Sequence, residues 1–279
     1  MHDPAPPRAA SGVIAFLLVG QLALTIVFVS PWFPMSSLAA VEHATRGWIT
    51  VTLLASSAIG GIGVVIALRH GRQTPASLGW RRRDLAPALL VLVAAWLLLQ
   101  AAAGWAHGGP VPPAAAVAEG RWGHLLGPLL AQLAGTALME ETLYRAFLWP
   151  QLRLRLVAVL PARSASVLAL IASQAIFALM HIPIRIYQGA ALADLGGMLA
   201  MLFASGIVLA LVYAATRNLF IAVAIHALAN APTLLVEAAG PMPGTLLLAV
   251  CGLLCLATCG RRWLRAARAQ ERTPLPIAR

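Results

Sequence analysis

The stretch that decides the fold is LAPALLVLVAAWLLLQAAAGWA at residues 85–106, which carries no charged residue from end to end. An α-helix rises about 1.5 Å per residue, so a run of this length covers the roughly 30 Å of a bilayer's hydrocarbon core. Arg81, Arg82 and Arg83 stand just before it, as is typical of a helix that enters the membrane from the cytoplasm. The stretch therefore predicts a transmembrane helix.

The rest of the chain has the same character, with 60% hydrophobic and 10% charged residues over 279 positions. A soluble core does not need so apolar a composition. Further apolar runs lie at 12–34, 48–68, 123–149, 164–186, 192–214, 219–238 and 243–260. We expect an all-α, polytopic membrane protein with about eight transmembrane helices. The first run is long and lacks a clear small-residue cleavage site, so we expect a membrane helix there and not a signal peptide.

The distribution of basic residues predicts the orientation of these helices. All 20 basic residues are arginine, and with eight spans only Arg46, Arg121 and Arg185 fall on one side. The positive-inside rule then predicts that both termini are cytoplasmic. The net charge of +11 follows from this topology and needs no nucleic-acid partner, although residues 80–83 and the tail 261–272 could hold anionic membrane lipid. The absence of Lys beside abundant Ala, Gly, Pro and Arg suggests a bacterial inner-membrane protein.

Six polar or charged residues interrupt three of the apolar runs: Glu140, Glu141, Arg145, His181, His226 and Asn230. An ionisable group near the bilayer centre costs roughly 2.5 to 3.5 kcal/mol, so such residues usually face a cavity and have a function there. We therefore divide the chain into an N-terminal membrane region (1–122), a membrane domain that carries the candidate site (123–238), and a last helix with a basic tail (239–279).

The spacing of these residues suggests separate roles for the two neighbouring carboxylates. On a helix Glu141 and Arg145 are i,i+4 neighbours and can form an ion pair, whereas Glu140 points about 100° away. We interpret the pair as a structural brace and Glu140 as a candidate general base that accepts a proton from water. Glu140, His181 and His226 are also a plausible ligand set for Zn²⁺. A metal-free mechanism, in which Glu140 and His181 hold the water, needs fewer supporting groups than a zinc site does. We therefore favour the metal-free mechanism and keep zinc binding as the alternative.

Three motifs carry a resemblance to a known family. Residues 140–145 read EExxxR, residues 177–181 read FxxxH and residues 226–230 read HxxxN. In this order they resemble the motifs of the CPBP family, which comprises type II CAAX prenyl endopeptidases and bacterial Abi, bacteriocin-processing relatives. The resemblance implies an intramembrane protease with Glu140, His181 and His226 at its centre. It also implies that Glu141 and Arg145 support them and that Asn230 lies near the oxyanion. Tyr144 stands where Phe is common in the family.

The resemblance implies hydrophobic or lipid-anchored peptides as substrates, reached from the bilayer or the cytoplasmic leaflet. A serine protease with Ser205 and His226 is one rival interpretation, and it leaves Glu140 and His181 unexplained. A transporter or non-enzymatic scaffold with a buried Glu/Arg/His proton relay is another. The oligomeric state stays open. The three cysteines Cys251, Cys255 and Cys259 predict helix packing, or S-acylation of the last, and no disulfide.

One consequence of the predicted topology concerns depth in the membrane. His181 lies roughly 27 Å along its helix from Arg163, whereas His226 lies only about 12 Å from the inner face. The two can meet only if the helix of His181 starts well inside the cytoplasm or continues past Pro183. We therefore predict that 150–163 forms a cytoplasmic extension.

Overall fold

The computed structural model describes residues 6–107, 110–237 and 243–255, and within these ranges the protein is all-helical, without strands. The helices are α1 (Ser11–Phe28), α2 (Met35–Ala44), α3 (Val51–Arg69), α4 (Leu85–Ala106), α5 (Ala115–Ala118), α6 (Trp122–Ala134), α7 (Thr136–Glu140), α8 (Trp149–Leu156), α9 (Ala162–Leu179), α10 (Ile182–Tyr187), α11 (Leu192–Thr216), α12 (Leu219–Asn230) and α13 (Pro243–Cys255). The basic tail, which could hold anionic lipid, and Cys259, a candidate for S-acylation, lie outside the described residues.

Five stretches of the described residues are long and apolar enough to cross a membrane: Ser11–Phe28, Val51–Arg69, Arg82–Ala106, Ala162–Tyr187 and Leu192–Thr216. They confirm the expected class, an all-α membrane protein. The predicted run 123–149 is interrupted at Gly135, and the last two predicted spans contain shorter helices, α12 and α13. The number of eight spans and the side of the termini therefore stay predictions.

The first predicted span, 12–34, extends too far. Helix α1 ends at Phe28, and a turn around Pro31 and Pro34 separates it from α2, which the hydropathy did not predict. Proline lacks a backbone N–H and disfavours helical geometry in the residue before it, so two prolines three positions apart end the helix.

Helix α12 is the centre of the bundle. Every residue from Ala222 to Leu228 is buried, because α12 packs against α4, α6, α7 and α11. A helix enclosed by protein on all sides is apolar all round and need not span the bilayer itself. Asn218 begins it, since its side-chain oxygen accepts hydrogen bonds from the backbone N–H groups of Phe220 and Ile221.

The stretch from Trp122 to Leu156 runs as four consecutive helical pieces. Gly135 separates α6 from α7 with φ −123° and ψ −102°. Residues Glu141–Leu148 then form a wide π-helical segment in which all eight residues are buried. Such widened turns replace the i→i+4 pattern with i→i+5 bonds and are frequent at functional sites.

The basic linker between α3 and α4 is packed onto the bundle. Leu78 is buried, Gln73 donates a hydrogen bond to the Pro7 carbonyl, and the Trp80 indole N–H donates to the Thr142 hydroxyl at 2.9 Å. Thr142 belongs to the π-helical segment, so the linker contacts the back of the segment that contains Glu141 and Arg145.

Close packing of α3 against α7 generates a prediction about two adjacent glycines. A Cβ atom at Gly60 would overlap the side chain of Met139, whereas one at Gly61 would meet nothing within 4 Å. We expect Gly60→Val to lower the melting temperature of the detergent-purified protein, because overpacking typically costs about 1 to 3 kcal/mol. The matched control Gly61→Val should melt close to wild type. Equal melting temperatures for the two variants would contradict this packing.

Candidate active site

The side chain of Glu140 lies between two histidines from distant parts of the chain. Its Oε1 is 3.6 Å from Nε2 of His181, and its Oε2 is 3.7 Å from Nε2 of His226. Glu140 ends α7, His181 lies at the junction of α9 and α10, and His226 lies in α12. The structure thus brings together the three residues that the motifs single out, and the two histidines meet at one carboxylate despite their different distances along their helices.

His226 is oriented by the second glutamate. Its Nδ1 lies 2.8 Å from Oε1 of Glu141 and donates a hydrogen bond to this carboxylate, since a carboxylate oxygen can only accept. This contact turns the other ring nitrogen, Nε2, toward Glu140. The motif pattern had predicted a role for Glu141 beside Arg145, and its contact with His226 is a further one.

His181 is oriented by the backbone of its own helix. At the end of α9 the N–H of His181 bonds to the carbonyl of Ala178, and its ring Nδ1 donates to the carbonyl of Phe177 at 2.8 Å. With a proton on Nδ1, the neutral ring carries its lone pair on Nε2, the atom that faces Glu140. The helix resumes at Ile182 and ends at Tyr187, so it does continue past Pro183, with a break at the histidine itself.

The predicted pair of Glu141 and Arg145 is present and fully buried. Arg145 Nε lies 3.3 Å from Glu141 Oε2, and both side chains have no exposed surface. The guanidinium stacks over the ring of Phe177, with 4.4 Å from Cζ to the ring centroid. Its three nitrogens make no hydrogen bond, so ion pairing and the cation–π contact hold the charge in place. The role of this pair as a brace stays a prediction.

Glycine at position 206 allows this packing. A Cβ atom there would lie 2.7 Å from Oε1 of Gln174, 3.2 Å from Phe177 Cδ1 and 3.4 Å from Nη2 of Arg145. Helix α11 therefore approaches the stacked Arg145 and Phe177 as closely as a backbone without a side chain permits.

The site opens into a cavity of 650 Å³. Glu140, His181, His226 and Asn230 all line it, together with residues of α1, α3 and α11. Glu140 is the one acidic residue among the described lining residues. A cavity of this size can accept a peptide side chain and the flanking backbone.

Asn230 lies one turn beyond His226, at the exposed end of α12. Its side-chain amide donates to Oε1 of Gln132 at 3.0 Å. Among its described contacts none is with Glu140 or the histidines. The position of Asn230 near an oxyanion therefore stays a prediction.

Two glutamines of the cavity were missed in the sequence. Gln132 orients Asn230, and Gln21 of α1 lies 3.5 Å from the hydroxyl of Tyr144. Gln21 is a buried amide in the middle of the run 12–34, and it is not among the six polar residues from which the site was predicted. An amide side chain inside an uncharged, apolar run was the signal in the sequence that could have identified it.

The two other kinds of site considered from the sequence, a serine protease with Ser205 and His226 and a zinc site, can be compared with this geometry. Ser205 lines the cavity, but no described hydrogen bond joins it to His226, whose ring nitrogens face Glu141 and Glu140. The described residues also contain no group of three His, Cys, Asp or Glu side chains arranged to hold a metal ion.

The buried ion pair generates a prediction about folding. We expect Arg145→Ala to lower the yield and melting temperature of the folded protein, because leaving Glu141 buried without its cation costs about 3 to 5 kcal/mol. The control is Arg121→Ala, which removes the exposed pair with Glu119 and should cost at most about 1 kcal/mol. Thermal melting in detergent measures both. If Arg145→Ala melts like wild type, the brace interpretation is wrong.

Comparison with known proteins gives a match to the central part of the chain. Residues 122–232 match the family model described as type II CAAX prenyl endopeptidase Rce1-like. No curated protein and no solved structure matches the chain. The matched residues span α6 to α12 and include all six polar residues of the candidate site.

Proposed function

We propose a mechanism for this chain on the premise that it is a membrane protease of the CPBP family, whose domain occupies residues 122–232. In this proposal Glu140, His181 and His226 hydrolyse a peptide bond with a water molecule as nucleophile. The observation that supports it is the convergence of both histidine Nε2 atoms on the two oxygens of Glu140, at 3.6 and 3.7 Å.

The first step is activation of water between Glu140 and His181. The separation of 3.6 Å between Oε1 and Nε2 exceeds a direct hydrogen bond, and a water about 2.8 Å from each atom would bridge them. Such a water donates one hydrogen to the carboxylate and the other to the Nε2 lone pair, so its oxygen lone pair is free to attack. Glu140 then takes the proton as the water oxygen bonds to the carbonyl carbon.

The second step is stabilisation of the oxyanion that this attack creates. His226 donates from Nδ1 to Glu141, and a proton on Nε2 as well makes the ring an imidazolium, for which the carboxylate is the counterion. Its Nε2–H can then donate to the oxyanion. Asn230, on the same face of α12, can supply a second donor if its amide turns from Gln132 toward the substrate.

The last step is cleavage. The carbonyl re-forms, the C–N bond breaks, and the proton held by Glu140 passes to the leaving nitrogen. The products are a new carboxyl group and a new amine, and Glu140 returns to its starting state. The chain's own residues suffice for each transfer, so zinc is not required by this scheme, and the metal-free mechanism stays our proposal.

The substrates that the cavity suits are hydrophobic, membrane-embedded or lipid-anchored peptides. Members of this family act on prenylated, lipid-anchored peptides in membranes. Apolar side chains such as Phe28, Met35 and Leu248 line the cavity beside the polar groups of the site. A peptide in an extended conformation can place its apolar side chains against these apolar lining residues and its carbonyl group against the polar groups of the site. We further propose a bacterial inner-membrane location.

The general-base role generates the main prediction on activity. Glu140→Gln should abolish cleavage of a membrane peptide by the reconstituted protein, because removing a general base typically costs about 10² to 10⁴ in rate. The variant should fold normally, since Glu140 makes no direct hydrogen bond to the histidines. Glu119→Gln, which changes an exposed carboxylate, is the matched control. Activity of Glu140→Gln near wild type would refute the mechanism.

Metal dependence is tested separately. We expect protein purified with a strong chelator to keep its activity and to contain less than one equivalent of zinc by elemental analysis. One equivalent of tightly held zinc, whose removal abolishes activity and whose return restores it, would instead assign Glu140, His181 and His226 as metal ligands. The acceptors on both Nδ1 atoms, Phe177 carbonyl and Glu141, would then be the partners that metal-bound histidines need.

A further inference from the structure

The cavity has a closed floor and an open rim. Its floor consists of Leu143, Tyr144 and Phe177, which are buried. Its most exposed lining residues are Thr52 at the start of α3, Tyr187 and Gln188 at the end of α10, and Asn230 at the end of α12. The cavity therefore opens at the end of the bundle where α3 begins and where α10 and α12 end, and we call this opening the cavity mouth.

Contacts among the described residues show which elements meet at the opposite end. Arg155 at the end of α8 bonds to the Ala9 carbonyl before α1, and Asn218 before α12 bonds to the Asp84 carbonyl before α4 at 2.7 Å. The end of the bundle opposite the cavity mouth therefore contains the first residues of α1, α4 and α12 and the last residues of α8.

Apart from the buried Arg145, the arginines of the described residues divide unequally between these two ends. Near the mouth lie Arg46, Arg121 and Arg185. At the opposite end lie Arg8, Arg69, Arg72, Arg81, Arg82, Arg83, Arg153, Arg155, Arg163 and Arg217. Because arginine-rich connections remain in the cytoplasm, the opposite end is cytoplasmic and the mouth faces the other side of the membrane.

The depth of the site follows from α3. Gly60 packs against Met139, the neighbour of Glu140, and lies nine residues along α3 from Val51, which is about 14 Å of helix. Glu140 is therefore about halfway across a hydrocarbon core of roughly 30 Å, counted from the mouth.

From these observations we infer that the protease takes its substrates from the non-cytoplasmic side. The inference rests on the proposed function. It specifies the substrate class as membrane-anchored peptides whose cleaved bond reaches the middle of the bilayer from its outer half. It replaces the sequence-based expectation of access from the cytoplasmic leaflet, and it excludes peptides anchored by a lipid on the cytoplasmic face.

The inference is tested by labelling single cysteines in intact cells. With Cys251, Cys255 and Cys259 changed to Ala, Gln188→Cys places a thiol at the cavity mouth, and Ala158→Cys places one at the opposite end, between α8 and α9. A membrane-impermeant maleimide should label Gln188→Cys in intact cells and Ala158→Cys only after permeabilisation. Three results would overturn the inference. They are the reverse pattern, labelling of both variants in intact cells, and failure of Gln188→Cys to react even after permeabilisation.

A second measurement links the mouth to substrate access. In the reconstituted protein, a bulky maleimide on Gln188→Cys should block cleavage of a membrane peptide, whereas the same label on Ala158→Cys should leave the rate unchanged. Equal rates would show that substrates reach the site by another route. Labelling in cells does not depend on activity, so a wrong orientation is distinguished from a failure of the proposed chemistry, which Glu140→Gln tests.

Discussion

The buried carboxylate of Glu141 is the group on which the rest of the site depends. It accepts a hydrogen bond from His226 and pairs with Arg145, with no surface exposed. A buried charge is tolerated only when partners compensate for its lost hydration. Because those partners come from α12 and from the π-helical segment, the brace that we propose holds these two elements in their relative position. That position leaves His226 Nε2 directed at Glu140, so the structural ion pair and the proposed chemistry are parts of one arrangement.

The π-helical segment explains how two adjacent glutamates come to lie in different surroundings. Glu141 turns inward to the fully buried side of the segment, whereas Glu140, which ends α7, points into the cavity with its side chain 21% exposed. The two are separated by one peptide bond and by the change of helical geometry between them. One carboxylate is thus held in a buried ion pair, and its neighbour faces the cavity, where the proposed mechanism has it accept a proton from water.

The sequence predicted much of this arrangement and missed the parts that depend on backbone detail. Long uncharged runs and polar interruptions are visible residue by residue, so the membrane class, the Glu141–Arg145 pair and the meeting of Glu140 with both histidines followed from hydropathy, spacing and motif order. The interruption at Gly135, the π-helical segment and the early end of α1 involve local geometry that periodicity does not encode. Gln21 and Gln132 were missed because one amide in an apolar run carries no motif. The bond from His181 to the Phe177 carbonyl depends on where α9 ends.

The most direct test of the central claim, that water activated at Glu140 is the nucleophile, is mass spectrometry of the enzyme quenched during turnover of a membrane peptide in H₂¹⁸O. The account predicts that the new carboxyl group of the N-terminal fragment carries ¹⁸O and that the enzyme keeps its unmodified mass throughout. An enzyme species heavier by the mass of the N-terminal fragment, with the added mass on Ser205 or any other side chain, would show a covalent intermediate and contradict it.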